Sequence, residues 1–151
     1  MSSGKIQVNI QRINKNAVLP VYQTQNAAGA DLCACIEKPM TIAPLSRALV
    51  PTGVAIEIAE SGFAAFVFAR SGLASRNGIN LSNGVGVIDS DYRGEIKVAI
   101  TNSSDTAYTI SPGERIAQLV FMPVAQAEFI DRDKLSKTNR MDGGFGSTGK
   151  I

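Results

Sequence analysis

Short runs of alternating apolar and polar residues, each closed by a turn signal, recur along this chain and favour a β fold. Ile6-Gln7-Val8-Asn9-Ile10 shows the pattern plainly. Successive strand side chains point to opposite faces, so such a run offers one face to a core and one to water. The same pattern predicts strands over Ala30 to Cys35, Ala48 to Val50, Val54 to Ile58 and Phe63 to Phe68. Further strands are expected over Gly84 to Val87, Ile96 to Asn102, Tyr108 to Ile110, Ile116 to Met122 and Ala127 to Ile130. Turn residues separate them at Ala43-Pro44, Pro51-Thr52-Gly53, Glu60-Ser61-Gly62, Asn83-Gly84 and Ser111-Pro112-Gly113. Many short strands at regular spacing predict an all-β, jelly-roll-like barrel or sandwich. Only Ser71 to Arg76 suits a short helix, which Asn77-Gly78 would stop.

The 151 residues suit one domain with a real core. A hydrophobic content of 44% with 19% charged residues fits a soluble globular protein. The net charge of +2 comes without a basic stripe, which argues against non-specific nucleic-acid or membrane binding. Apolar runs are too short for a transmembrane span. The opening MSSGKIQVNI lacks the apolar core of a secretory signal, so the expected address is the cytoplasm, with nuclear and organellar addresses left open. Cys33 and Cys35 lack the four ligands of a structural zinc site, and a disulfide across one residue would be strained. Free thiols in a reducing compartment are expected.

The chemistry concentrates in Gly86 to Gly94, GVIDSDYRG. A plain hairpin turn wants small polar residues and Gly. This one carries Asp89, Asp91, Tyr92 and Arg93, which suggests a pocket built on a hairpin. The chain contains no His, so proton transfer near neutral pH falls to a carboxylate, Lys, Tyr or Cys. Asp89 is the leading candidate. Ala69-Arg70-Ser71-Gly72-Leu73 sets a guanidinium, a hydroxyl and backbone N–H groups at a strand end, which suits phosphate oxygens or an ordinary turn. Gln118, on an apolar strand, is a satisfied structural amide or a holder of water or phosphate. Asp31 reads as a turn residue, half of an ion pair with Arg, or a functional acid. Residues 131–151 are polar and Gly-rich. They suit a disordered terminus, or a segment that closes over a ligand with Arg140 on an anion and Phe145 on an apolar surface.

Five of these blocks, taken in order, resemble the motifs of the homotrimeric dUTPase family. They are AGADLCA at Ala28 to Ala34, ARSGLA at Ala69 to Ala74, NGVGVIDSDYRGEIKV at Asn83 to Val98, GERIAQLVF at Gly113 to Phe121 and RMDGGFGSTG at Arg140 to Gly149. The resemblance implies an all-β jelly-roll subunit over 1–130, with a C-terminal arm over 131–151. It implies a homotrimer whose active sites each draw on three chains, and hydrolysis of dUTP to dUMP and pyrophosphate with Mg²⁺ on the triphosphate. Such a reaction supplies dUMP for dTMP synthesis and keeps uracil out of DNA. By the same resemblance Asp89 orients and deprotonates the attacking water and touches the 3′-hydroxyl. Tyr92 lies under the sugar and excludes a 2′-hydroxyl. Arg70, Ser71, Gly72 and Gln118 hold the phosphate chain. Asp31 and Gln118 reach Mg²⁺ only through water. Arg140 meets the phosphates, Phe145 stacks on uracil, and Gly146, Ser147 and Thr148 cap the γ-phosphate.

The physical chemistry agrees with these expectations. Asn83, the backbone from Val87 through Ile88 to Asp89, and Lys97 are placed to read uracil as a base partner would. A fixed donor pattern rejects cytosine strongly, because a mismatched buried polar group costs more than a missing methyl contact. Phosphate hydrolysis needs positioning, charge neutralisation and an aligned water. Two rivals follow. A dCTP deaminase or bifunctional relative of the same fold would use a Glu near the pyrimidine, and Glu95 is the available acid. A non-catalytic nucleotide-binding trimer would signal through tail closure, but would have no need of Asp89 and Arg140.

Overall fold

The computed structural model describes residues 5–144. Its strands are β1 (Val8–Arg12), β2 (Ala30–Cys33), β3 (Met40–Ile42), β4 (Arg47–Pro51), β5 (Val54–Ile58) and β6 (Phe63–Ala69). After α1 (Ser71–Asn77), the one helix among the described residues, come β7 (Ile79–Leu81), β8 (Gly86–Ile88), β9 (Lys97–Asn102), β10 (Tyr108–Ile110) and β11 (Arg115–Pro123). All strand pairings are antiparallel. One sheet runs β2-β11-β6-β8 and a second runs β4-β9-β7, with β1-β5 and β10-β3 as separate ribbons.

The alternation expected from the sequence is what builds the core. Val98, Ile100 and Asn102 of β9 are buried; Val50, paired to Val98 from β4, and Val54, Ile56 and Ile58 of β5 join Val98 and Ile100 in one core cluster. Leu32, Val67, Ile116 and Leu119 close the same cluster from the larger sheet. The buried Asn102 is fully engaged. Its Nδ2 donates to the carbonyls of Ile42 and Thr106, and its Oδ1 accepts from the N–H and hydroxyl of Ser104. Gly78 ends α1 in the left-handed conformation, at φ 67°, where its N–H donates to the Ala74 carbonyl.

Four expectations need correction. The GVIDSDYRG segment is not a paired hairpin: β8 pairs with β6, whereas β9 pairs with β4 and β7. Asp89 to Ile96 therefore cross from one sheet to the other. Ala127 to Ile130 is not a strand, because alternation creates no ladder without a neighbour; Phe129 there is 95% exposed. The last strand ends at Pro123. The strand expected through Cys35 ends at Cys33; Cys35 lies beyond β2, where the chain leaves β11 and its N–H donates to the Pro51 carbonyl. Both thiols are free, as expected, and burial pushes both up in pKa. β3 and β7 are additional strands, made by pairing with β10 and β9 rather than announced by a turn-bounded alternating run.

Candidate active site

The crossover from β8 to β9 encloses a cavity of about 380 Å³. The register of β8 is fixed by Ala65↔Ile88 and Val67↔Gly86 pairing with β6. Gly86 lets the two strands lie close, since a Cβ there would stand 3.1 Å from the Val67 Cβ and press on β6. Buried Ile88 thus holds Asp89 at the cavity rim. Asn83, Val87, Asp89, Tyr92 and Lys97 all line this space, together with Ile88. The pyrimidine-reading, sugar-facing and water-activating residues expected from the sequence therefore share one cavity.

Tyr92 is held locally. Its N–H donates to the Asp89 carbonyl at 3.1 Å and its hydroxyl donates to the Glu95 carbonyl at 3.1 Å. Arg93 points away, toward the Ser90 carbonyl and the Glu57 carboxylate. Lys97 Nζ lies 3.8 Å from Oε2 of the half-buried Glu95, a loose pair of small energetic weight.

A second group gathers where β6 gives way to α1. The carboxylate of Asp31 is buried, at 3% exposure, between two guanidinium groups. Arg115 donates to its Oδ2 at 3.1 Å, and Arg70 Nε lies 3.4 Å from its Oδ1 without forming a hydrogen bond. Arg70 also donates to the Arg115 carbonyl at 2.9 Å. Gln118 sits opposite Asp31 in the β11–β2 ladder, with its side chain against the bare Cα of Gly29. Ser71 and Gly72 are exposed beside Arg70, and no atom lies within 4 Å of where a Gly72 Cβ would be. The ion-pair reading of Asp31 is thus realised. With its charge committed to two guanidinium groups, the donors here do not form a cation site of their own. No group of three His, Cys, Asp or Glu residues suited to a metal occurs among the described residues. An ion near Asp31 and Gln118 would have to be reached through water.

The two groups are separated along β6. Val67 lines the cavity and Arg70 lies three residues further, roughly 10 Å at strand spacing. Arg70, Ser71, Gly72, Gln118 and Asp31 do not line the cavity. Neither does Arg140, whose Nε donates to the Gly143 carbonyl at 2.7 Å in a local turn. Phe145, Gly146, Ser147 and Thr148 lie outside the described residues.

Two residues went unassigned on the sequence. Arg115 joins Asp31 because a register shift between Arg115 and Ala117 redirects the strand, and no residue type announces that bulge. Glu95 was weighed only as a deaminase acid, yet its Oε1 accepts the Gly53 N–H at 2.9 Å. That contact joins segments far apart in the chain.

A family model described as dUTPase matches residues 15–149. A relative from Desulfitobacterium hafniense named deoxyuridine 5'-triphosphate nucleotidohydrolase is 52% identical over 149 residues, 99% of each chain. One of the same name from Legionella pneumophila is 50% identical over 139 residues, 92% of this chain and 91% of the relative. A solved Staphylococcus bacteriophage 80alpha dUTPase mutant with dUpNHpp aligns at TM-score 0.85 and 26% identity, covering 95% of this chain and 98% of that one.

Proposed function

The chain belongs to the dUTPase family, and on that premise we infer that it hydrolyses dUTP to dUMP and pyrophosphate, with Asp89 orienting and deprotonating the water that attacks the α-phosphorus. The observation that carries the reading is the convergence of Asn83, Asp89, Tyr92 and Lys97 on one cavity. Strand edges at Val87 and Ile88 bring backbone donors and acceptors to the base, and Asn83 adds a side-chain amide. Tyr92 forms the surface beneath the sugar. A carboxylate is a weak base at neutral pH, so the rate comes chiefly from alignment of the water.

Arg70, Ser71, Gly72 and Gln118 hold the phosphate chain, and Arg140 adds a further guanidinium. Phe145 stacks on uracil, with Gly146, Ser147 and Thr148 over the γ-phosphate. Within one subunit Arg70, Ser71, Gly72, Gln118 and Arg140 do not line the cavity, which supports a homotrimer with sites built from several chains and an arm over 131–151 docked on the barrel of 1–130. Mg²⁺ enters this scheme on the triphosphate, where it neutralises phosphate charge; the surroundings of Asp31 favour that over a protein-held ion. No helix among the described residues is long and apolar enough to cross a membrane. We place the reaction in the cytoplasm, in keeping with the two free thiols.

Pyrophosphate release from dUTP, dCTP, dTTP, dATP, dGTP and UTP tests the reading. Release from dUTP alone is expected. Ammonia from dCTP would identify a deaminase, and tight dUTP binding without pyrophosphate would identify a binding protein.

A further inference from the structure

Glu95, in the cavity wall, links two of its other lining residues, Tyr92 and Lys97, to Gly53 behind it. Its Oε1 accepts the Gly53 N–H at 2.9 Å, its Oε2 faces Lys97 Nζ at 3.8 Å, and its carbonyl accepts the Tyr92 hydroxyl at 3.1 Å. We propose that Glu95 is a positioning residue for sugar selection, fixing Tyr92 by tying the β8–β9 crossover to the turn between β4 and β5. The inference rests on the reading that Tyr92 lies beneath the sugar.

Gly53 is a firm anchor. Its φ of +69° favours glycine, and a Cβ there would stand 2.8 Å from both the Ala17 Cβ and the Cys35 Sγ. Its carbonyl accepts the N–H groups of Ile13 and Asn14. Next to it, buried Thr52 donates its hydroxyl to the Ile96 carbonyl at 2.6 Å, and Ile96 N–H donates to Val54 at 2.8 Å. The chain just after Glu95 is thereby stitched to the turn. Before Glu95 the crossover has less support. Tyr92 is 46% exposed, so packing alone does not enclose its ring. The ring lies on the bare Cα of Gly94, where a Cβ would stand 2.5 Å from Tyr92 Cζ. Its hydroxyl has the Glu95 carbonyl as its partner. The peptide that bears this carbonyl is held on its far side by Ile96 N–H on Val54, and the Glu95 side chain on Gly53 adds the tie on its near side, next to Tyr92, so it helps set where the aromatic surface lies.

The test measures kcat and KM for dUTP and UTP in the full chain and in Tyr92→Ala, Tyr92→Phe, Glu95→Ala and Glu95→Gln, with thermal midpoints as a folding check. Glu95→Ala is expected to lower the dUTP-over-UTP preference by roughly threefold to tenfold, the range for one lost hydrogen bond's worth of positioning. Glu95→Gln keeps an acceptor for Gly53 but loses the Lys97 ion pair, and should retain the preference. Tyr92→Phe removes only the hydroxyl and should follow Glu95→Ala; it keeps the test open if Glu95→Ala does not fold. An unchanged preference in Tyr92→Ala overturns the sugar-contact reading and this inference with it. A relaxed Tyr92→Ala beside unchanged Glu95→Ala or Tyr92→Phe overturns the positioning role alone. Loss of preference in Glu95→Gln assigns the effect to Lys97 and overturns it too.

Discussion

Asp89 owes its position to the residue before it. Ile88 is buried and paired to Ala65, so the carboxylate projects from a fixed strand end into a turn closed by Tyr92. Asp89→Asn preserves the shape and one acceptor oxygen but removes the base. Its kcat on dUTP should fall by ~10² to 10⁴-fold, as when a general base is lost, with dUTP binding and thermal midpoint little changed. Steady-state turnover beside calorimetric binding of a non-hydrolysable analogue checks this, and wild-type kcat would remove Asp89 from the chemistry. The acid was legible in the sequence because it is surplus to what a turn needs. Tyr92 stood out for the same reason, whereas Asn83 and Lys97 were named only with the family resemblance; all three line the cavity. Glu95 and Arg115 were not, because their partners Gly53 and Asp31 lie 42 and 84 residues away along the chain. Nothing local in a sequence records such contacts.

At the scale of elements, alternating runs that find a partner were readable, the three-residue Tyr108 to Ile110 among them, and the unpartnered run was not. Val54 to Ile58 became a strand with the expected ends, since Val54, Ile56 and Ile58 pack into the core while its backbone edge pairs with β1. Ala127 to Ile130 has similar residues but nothing to pair with. The β10–β11 turn shows how side chains then set an element's end. Glu114 accepts the Tyr108 hydroxyl and, at 2.8 Å, the Ser111 N–H. Burial first, and then the hydrogen bond to Glu114, push the Tyr108 phenol up to about 12 from an ordinary 10. A raised phenol pKa means the folded chain keeps its proton longer than the unfolded chain. The stabilisation is complete below pH 10 and is lost as the pH rises from 10 to about 12, so stability should fall across that window. Urea unfolding of wild type and Tyr108→Phe between pH 9 and about 12 isolates this contribution. The wild type should lose more stability than the variant; parallel curves would show that the phenol does not titrate with folding.

At the scale of the whole molecule, one subunit places its nucleoside-reading cavity and its Arg70 group apart, with Arg140 in an exposed turn near the end of the described chain. We propose that trimer formation brings these groups together, the arm of one chain closing a cavity on another. The exposure of Phe129, Ile130 and Leu135 suits a segment whose apolar side chains find cover on a second copy. Complementation between two defective chains tests this. A protein truncated after Asn139 lacks Arg140 and everything beyond it, whereas full-length Asp89→Asn keeps the arm and lacks the base. Each homotrimer should be nearly inactive. Refolded together, they should form mixed trimers in which some sites combine an intact Asp89 with an intact arm, and part of the pyrophosphate release should return. Native mass spectrometry establishes whether mixed trimers are present. If they are present and activity stays absent, base and arm must come from the same chain. If activity rises with the mixed-trimer fraction, the catalytic unit is the assembly, and the separation seen within one subunit follows from how its sites are divided among chains.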